Sequence, residues 1–347
     1  MRSGKLNAVF LAIQELSWSQ QQELVHRLQH AQAARHAAVI VEERLQALRM
    51  CPHCNSLHVV RNGMAPGLQR YKCRACCKTF NALTGTALAR LRYRERWLEQ
   101  TQALIDSISI TQAAQRLDVA RSTAFRWRHR FLALPHQIMA RQLTGIVEAD
   151  ETCLLKSFKE QPSARQHHGR KARRRGGRAS VRGMSDQHDI VLVARDRSGA
   201  CADHVVAAID AAHLAAVLQP LLAPDVVLCT DGSAALAAAA RHIGVEHHAV
   251  NAIAGVRAVG AWHINNVNGH HSRFKGWLHR FKGVASSYLA HYLGWFRTLD
   301  RFGPAGVKPS WLLAVAASDP IPSTRIAPKI RAVYSEGFLS KKTNLNR

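Results

Sequence analysis

Gly145-Ile146-Val147-Glu148-Ala149-Asp150-Glu151-Thr152 is an apolar run that ends in acids. It predicts a buried strand, with Glu148, Asp150 and Thr152 on one face and Val147, Ala149 and Glu151 on the other. An acid at the end of a buried strand is costly unless it is paired or metal-bound. Val226-Val227-Leu228-Cys229-Thr230-Asp231-Gly232 repeats the pattern, with Asp231 lying 81 residues beyond Asp150. Asn266-Val267-Asn268 then opens a helix that carries Lys275. Two carboxylates at strand ends beside a polar helix outline a metal site.

The elements between these landmarks decide the topology. Asp189 to Gly199 reads as a strand entering a hairpin turn and Ala200 to Val206 as its return. An Ala/Leu-rich helix fills 207–222, the strand Val226 to Thr230 follows, Ser233 starts a helix to about His242, and His247 to Val250 is a short strand. Three meandering strands, helix, strand, helix, strand, helix is the order of a ribonuclease H-like mixed α/β fold. There the first and fourth strands are neighbours, so Asp150 and Asp231 meet at the carboxyl ends of the strands, where open sheets form their pockets. Hard carboxylate oxygens in an open site suit Mg²⁺ or Mn²⁺. On the following helix, Val267, His271, Phe274, Leu278 and Phe281 share an apolar face, and Asn268, Ser272, Lys275 and His279 a polar stripe. Asn268 and Lys275 stand two turns apart, about 10 Å, so one reaches a metal while the other holds a phosphate. His271 by itself reads as a core histidine.

Outward from this region the chain is strongly basic. Its 347 residues carry 48 Lys+Arg against 23 Asp+Glu, a formal net charge of +25, which calls for a polyanion, with double-stranded DNA the default. The segment Lys156 to Arg182, including Arg173, Arg174 and Arg175, cannot bury a core and reads as a solvated loop beside the site that clamps phosphates. No apolar run is long enough for a membrane span, and the Ala/Leu-rich stretch Ala211 to Leu222 is interrupted by His213, Gln219 and Pro220. With no signal-peptide pattern either, the expected location is cytoplasmic, where the eight cysteines stay reduced and close pairs of them bind metal.

Cys51-Pro52-His53-Cys54, eighteen further residues, and Cys73-Arg74-Ala75-Cys76 supply four thiolates at zinc-ribbon spacing for one structural Zn²⁺, with Cys77 outside the set. From Arg94 to Leu134 three helices are expected: Arg94 to Ile108, Gln112 to Leu117 capped by Ser109 or Thr111, and Arg121 to Phe131. Trp127 and Phe131 point to the core, and Ser122, Thr123, Arg126 and Arg130 are left for bases and phosphates, a helix-turn-helix pattern. Residues 1–48 show helical spacing through Leu16, Gln20, Leu24 and Leu28, with Ser19 a candidate cap. The expected chain is thus a multidomain α+β protein. An N-terminal helical segment (1–48) precedes a zinc ribbon (49–86), a helix-turn-helix DNA-binding domain (94–134) and a ribonuclease H-like domain (145–300), leaving 301–347 unassigned.

With these residues in view, the chain resembles the zinc-ribbon insertion-sequence transposases with an ISXO-like, DDE-type catalytic domain. The likeness runs from about Leu48 to Arg297. It rests on the two CxxC knuckles with Leu83-Thr84-Gly85-Thr86, the helix-turn-helix pattern, Val147 to Thr152 and Thr230-Asp231-Gly232. Val267-Asn268-Gly269-His270-His271-Ser272-Arg273-Phe274-Lys275 and Tyr288 to Trp295 complete it. The resemblance implies that Asp150 and Asp231 are the first two metal ligands and Lys275 the basic residue after the third. Where many relatives carry Glu as third ligand, this chain has Asn268, whose neutral amide oxygen binds Mg²⁺ more weakly. It further implies two-metal cleavage at terminal inverted repeats and strand transfer into target DNA, with a homo-oligomer on DNA and no small-molecule substrate. Two alternatives stand beside it: an inactive or domesticated relative acting as a sequence-specific DNA-binding protein, and a ribonuclease H-like nuclease or resolvase.

Overall fold

The computed structural model describes residues 2–47, 49–65, 67–133, 138–159, 185–250, 254–255 and 258–318. Arg173, Arg174 and Arg175 lie outside the described residues. The chain divides into two compact units, one of Met1–Asp106, Ala113–Phe131 and Lys308–Arg347, the other of Ser107–Gln112 and Leu132–Val307. No helix among the described residues is long and apolar enough to cross a membrane.

In the first unit, α1 (Arg2–Gln14) leads to α2 (Trp18–Ala47). The cap of α2 is Ser17 rather than Ser19: Ser17 Oγ accepts from Gln20 N at 3.4 Å while Gln20 Oε1 accepts from Ser17 N at 2.8 Å, a reciprocal capping box. Strands β1 (Val59–Ala65), β2 (Leu68–Cys73) and β3 (Thr79–Phe80) form an antiparallel sheet in the order β1-β2-β3. Tyr71 stacks on Phe80 at 5.6 Å between ring centroids, giving this small sheet its apolar filling. Next come α3 (Trp97–Ile105), α4 (Ile110–Arg116) and α5 (Arg121–Leu132). Trp97 meets Phe131 edge-on at 6.1 Å, and both are fully buried together with Leu104, Leu117 and Trp127.

The second unit is built on a five-stranded mixed sheet. Its strands are β4 (Ile146–Leu155), β5 (His188–Asp196), β6 (Cys201–Val206), β7 (Val227–Thr230) and β8 (Glu246–Ala249), in the order β6-β5-β4-β7-β8. β4, β5 and β6 pair antiparallel, while β7 runs parallel to both β4 and β8, so the expected first and fourth strands are neighbours. The β5–β6 hairpin is set by Asp196, whose Oδ1 accepts from Ser198 Oγ at 2.7 Å and Ala200 N at 2.9 Å, with Gly199 supplying the positive φ of 87°. Helices α6 (Ala211–Leu218) and α7 (Ala234–Ile243) follow β6 and β7. They pack Leu214, Leu218, Leu236, Ala239 and Ala240 onto Val147, Ala149, Leu192 and Leu228 of the sheet. Alanine at the contacts lets these helices lie close to the strands.

Beyond β8 a short hairpin, β9 (Ala258–Val259) and β10 (Trp262–His263), leads into α8 (Asn265–His279) and α9 (Leu289–Phe302). α8 contacts β4 and β5, and α9 contacts β6. Trp277 of α8 packs edge-on to Trp295 of α9 at 4.9 Å, and Phe274 meets Phe296 at 5.3 Å. The ion pair of Arg297 with Asp203 is buried on both sides, and Arg297 also donates to the Ile138 carbonyl. Removing one partner leaves a buried charge uncompensated. Arg297→Met is therefore expected to cost about 3–5 kcal/mol of unfolding free energy in urea titrations, and Asp203→Leu added to it should return most of that loss. An additive double variant would show the two groups act separately.

The remaining helix of the first unit, α10 (Pro309–Ala316), falls in the stretch for which sequence periodicity assigned nothing. Pro309 occupies its first turn, Leu312, Leu313, Val315 and Ala316 are buried, and it packs on α2 and α3.

Candidate active site

The site of the second unit begins at the end of β4. The parallel register pairs Ile146 with Val227, Val147 with Leu228 and Glu148 with Cys229. Continued by two residues, it sets Asp150 level with Asp231, one residue past the end of β7. Asp231 is exposed, and its Oδ1 accepts from Ser233 N at 2.9 Å at the start of α7. Gly232 between them has φ of 88°, a left-handed backbone that turns the chain from strand to helix. Thr230, the last residue of β7, is fully buried and bonds His247 of β8 at 2.8 Å, which holds the strand end in place.

Asp150 is largely buried, with His271 Nδ1 of α8 3.4 Å from its Oδ2. Glu151 stands close by. Burial, joined by the charges of Asp150 and Asp231, pushes its carboxyl up to about 7, and its Oε1 is buried without a hydrogen-bond partner. The charges of Asp150 and Asp231 thus both reach this strand end. Asn268 and Lys275 are both exposed on α8. Burial pushes the Cys153 thiol of β4 up, and the charge of Lys275, on the helix that contacts this strand, works against that shift. The oxygen-rich set of Asp150, Asp231 and the Asn268 amide fits Mg²⁺ or Mn²⁺.

The largest departure from the sequence reading is Glu148. Alternation placed it on the face of Asp150, and the structure shows what it does there: it is fully buried against the first turn of α8. Its Oε2 accepts from Asn266 N at 2.7 Å and Val267 N at 2.9 Å, and its Oε1 from Asn266 Nδ2 at 2.8 Å and Arg197 Nη1 at 2.9 Å. The N-cap of α8 is Ile264, which has no side chain able to cap. The missing cap comes from 118 residues upstream. On α8 the buried face is Val267, His270, His271, Phe274 and Trp277, so His270 and Trp277 join it and Leu278 is only half-buried, while Phe281, past the helix end, packs on Trp277 at 4.9 Å. His270 is turned inward by Asp300, which also takes Arg195 at 2.7 Å and Arg273 at 2.7 Å. Burial raises the Asp300 carboxyl, but the bonds from His270, Arg273 and Arg195 outweigh it and hold Asp300 far below the usual carboxylate range. Cys201, Asp203 and His270 gather within 4.8 Å of one another, yet Arg297 already neutralises Asp203 and burial pushes the Cys201 thiol up to about 12. The group is a buried ion-pair network.

In the first unit the four predicted ligands Cys51, Cys54, Cys73 and Cys76 come together within 4.8 Å. Cys51 Sγ is 3.6 Å from Cys76 Sγ, and Cys54 Sγ is 3.6 Å from Cys73 Sγ. Four sulfurs about 2.3 Å from a tetrahedral zinc are about 3.8 Å apart, so the cluster is compatible with a zinc ribbon. Each knuckle turns through a left-handed residue one place past its second cysteine, Asn55 at φ 60° and Cys77 at φ 57°. Exposed Cys77 is outside the cluster. On α5, Ser122 and Arg126 are exposed and Thr123 half-buried. Arg130 instead donates through Nη2 to the Ala89 carbonyl at 2.8 Å and through Nε to that of Ala87, fastening α5 to the chain beyond the ribbon.

Residues 142–297 match the family model of the ISXO2-like transposase domain. The match is to the domain and spans 142–297 of the 347 residues. It takes in β4 to α8, with Asp150, Asp231, Asn268 and Lys275 inside it. A protein in transposable element ISH50 of Halobacterium salinarum, itself uncharacterized, is 29% identical over 261 residues, covering 71% of this chain and 83% of its own length. Two solved structures, a pre-cleavage Mos1 transpososome and a Mos1 transposase paired-end complex with left transposon end, are similar at 13% and 14% identity. Each alignment covers 64% of this chain and 79% of the other, at a TM-score of 0.19.

Proposed function

We propose that the chain is an insertion-sequence transposase that binds the terminal inverted repeats of its element and catalyses metal-dependent cleavage and strand transfer on a ribonuclease H-like scaffold. The observation that carries this reading is the parallel pairing of β4 with β7, which sends Asp150 and Asp231 towards the same edge of the sheet, inside the region matched to a transposase domain. Mg²⁺ or Mn²⁺, when bound, supplies Lewis acidity at the phosphate and an activated nucleophile. Asp150, Asp231 and Asn268 would hold the ions, and Lys275 would orient the phosphate for in-line attack. Water first cuts a phosphodiester at the element end, and the freed 3′-hydroxyl then displaces an oxygen of a target phosphodiester.

Recognition of the ends falls to the zinc ribbon and to a helix-turn-helix formed by α3 to α5, with Ser122, Thr123 and Arg126 facing the DNA. The fastening of Arg130 to Ala87 and Ala89 favours a supporting role for that side chain. Arg173, Arg174 and Arg175 add phosphate contacts, and two ends to be paired call for more than one copy of the chain. Asn268 favours a second reading, a DNA-binding relative that no longer cuts. The test is joining of a labelled inverted-repeat end to plasmid by purified protein with Mg²⁺ or Mn²⁺, beside Asp150→Ala. Metal-dependent joining lost in the variant supports the transposase; tight end binding without joining supports the second reading. In an active protein, Asn268→Asp should lower the half-saturating Mg²⁺ concentration by about tenfold, since a carboxylate replaces an amide at the ion.

A further inference from the structure

We propose that Glu148 is the positioning residue of the metal site: its buried carboxylate is a long-range cap that fixes the helix bearing Asn268 and Lys275 against the strand bearing Asp150. The inference rests on the assignment of Asp150, Asp231 and Asn268 as ligands. Its geometry is independent of that assignment. Glu148 lies two residues before Asp150 on the same face of β4, so the rigid strand fixes the distance between anchor and ligand. On the helix side, the amides it holds belong to Asn266 and Val267, and Asn268 follows at once. Asn268 N makes the first bond of the helix ladder, to the Ile264 carbonyl at 3.0 Å. In the first turn of α8, Asn265 N donates locally to His263 Nδ1 at 3.3 Å, while the amides of Asn266 and Val267 depend on an acid from the sheet.

Arg197 completes the device. Its Nη1 reaches Glu148 at 2.9 Å, and its Nη2 donates to the Ala261 carbonyl at 3.0 Å, while His263 Nδ1 lies 3.3 Å from Glu148. The approach from β10 to α8 is therefore tied to the same carboxylate. A neutral side chain at 148 would leave the guanidinium without its buried counter-charge and the two helix amides without an anion. The consequence at the ion is loss of alignment, because ligands held from behind are the ones that bind metal tightly. Misplacement of a ligand by about 1 Å is enough to cost about 10²-fold in rate.

The full-length protein carrying Glu148→Gln or Glu148→Ala tests this by two measurements. Amide hydrogen exchange at Asn266 and Val267 should quicken by at least about tenfold in Glu148→Ala, with the sheet amides of β4 and β5 unchanged. Mn²⁺ binding, read by the electron paramagnetic resonance of the free ion, should weaken by about tenfold or more in Glu148→Ala and by less in Glu148→Gln, which keeps one acceptor for the amides. Destabilisation alone raises the half-saturating concentration only by the reciprocal of the folded fraction, so variants that circular dichroism shows to be about nine-tenths folded or more would shift it by almost nothing. Wild-type Mn²⁺ affinity in both variants would overturn the inference, as would unchanged exchange at Asn266 and Val267. If instead Asp150→Ala binds Mn²⁺ as wild type does, the ligand assignment fails, and the exchange data still decide whether Glu148 anchors the helix.

Discussion

Asp231→Asn is expected to reduce strand cleavage by about 10³-fold or more while leaving binding to the element end within about twofold. The sparing of the fold follows from what the side chain does structurally. Its Oδ1 accepts one bond, from Ser233 N at 2.9 Å, and an asparagine Oδ1 accepts the same bond in the same place. The residue is exposed, so the change creates no cavity and buries no new polar atom. Only the charge is lost. In the proposed mechanism that charge holds a divalent ion worth several kcal/mol of transition-state stabilisation, and each 1.36 kcal/mol is a factor of ten in rate. The substitution also leaves a site whose only remaining assigned anionic ligand is Asp150, because the third position is the neutral Asn268. Purified wild-type and variant proteins would be compared by gel for nicking of a labelled end and by mobility shift for binding of it. Cleavage preserved in the variant would remove Asp231 from the ligand set; loss of both activities together would point to a structural role.

The contrast between Asp231 and Glu148 shows what a linear sequence makes legible. Asp231 closes an apolar run, is followed by Gly232 and a helix start, and its role can be argued from that local pattern. Asp150 is legible for the same reason, and the pairing of β4 with β7 follows from the order of elements. Glu148 has the same local surroundings as Asp150, yet its partners are amides 118 and 119 residues away. No local signal was available: the sequence reading opens this helix at Asn266, and it is the structure that puts the N-cap at Ile264, which cannot cap it. The buried face of α8 was mistaken for a similar reason. Apolar spacing alone favours Leu278, but Trp277 has Trp295, Phe296 and Tyr292 to pack on, and His270 is drawn inward by Asp300. Neither contact can be found without α9. The cap of α2 was displaced by two residues because serine at 17 and at 19 both precede a glutamine-rich turn, and only the reciprocal bond between Ser17 and Gln20 separates them. α10 carries almost no local signal, since its eight residues are largely apolar and tertiary contact supplies its stability.

Removal of zinc is expected to have the largest effect on structure, confined at first to residues 51–80. The sheet β1-β2-β3 has Leu68, Tyr71 and Phe80 as its buried apolar residues, too small a filling to hold three short strands in water. The cysteine cluster must supply the rest, and structural zinc in modules of this size contributes about 10 kcal/mol or more of folding free energy. The N–H groups of Cys76 and Ala75 face Cys73 and hold its thiol below the ordinary range, and His53 N donates to Cys51 Sγ at 3.4 Å, while at Cys54 the backbone bond from Ser56 is outweighed by the neighbouring Cys76, Cys73 and Cys51, which push that thiol up to about 12. Chelation should therefore open Lys72 and Arg74 to trypsin and abolish end binding, and added Zn²⁺ should restore both. Cys73→Ser should weaken zinc binding by about 10²-fold or more, whereas Cys77→Ser, altering an exposed thiol outside the cluster, should keep one zinc per chain. Cobalt substitution makes the comparison quantitative, because a tetrathiolate site gives intense sulfur-to-metal absorption that falls with each sulfur lost. Equal cobalt spectra for Cys73→Ser and wild type would show that the four sulfurs are gathered for another reason. In that case the contribution of β1-β2-β3 to recognition of the element end would have to come from a sheet that can stand without its metal.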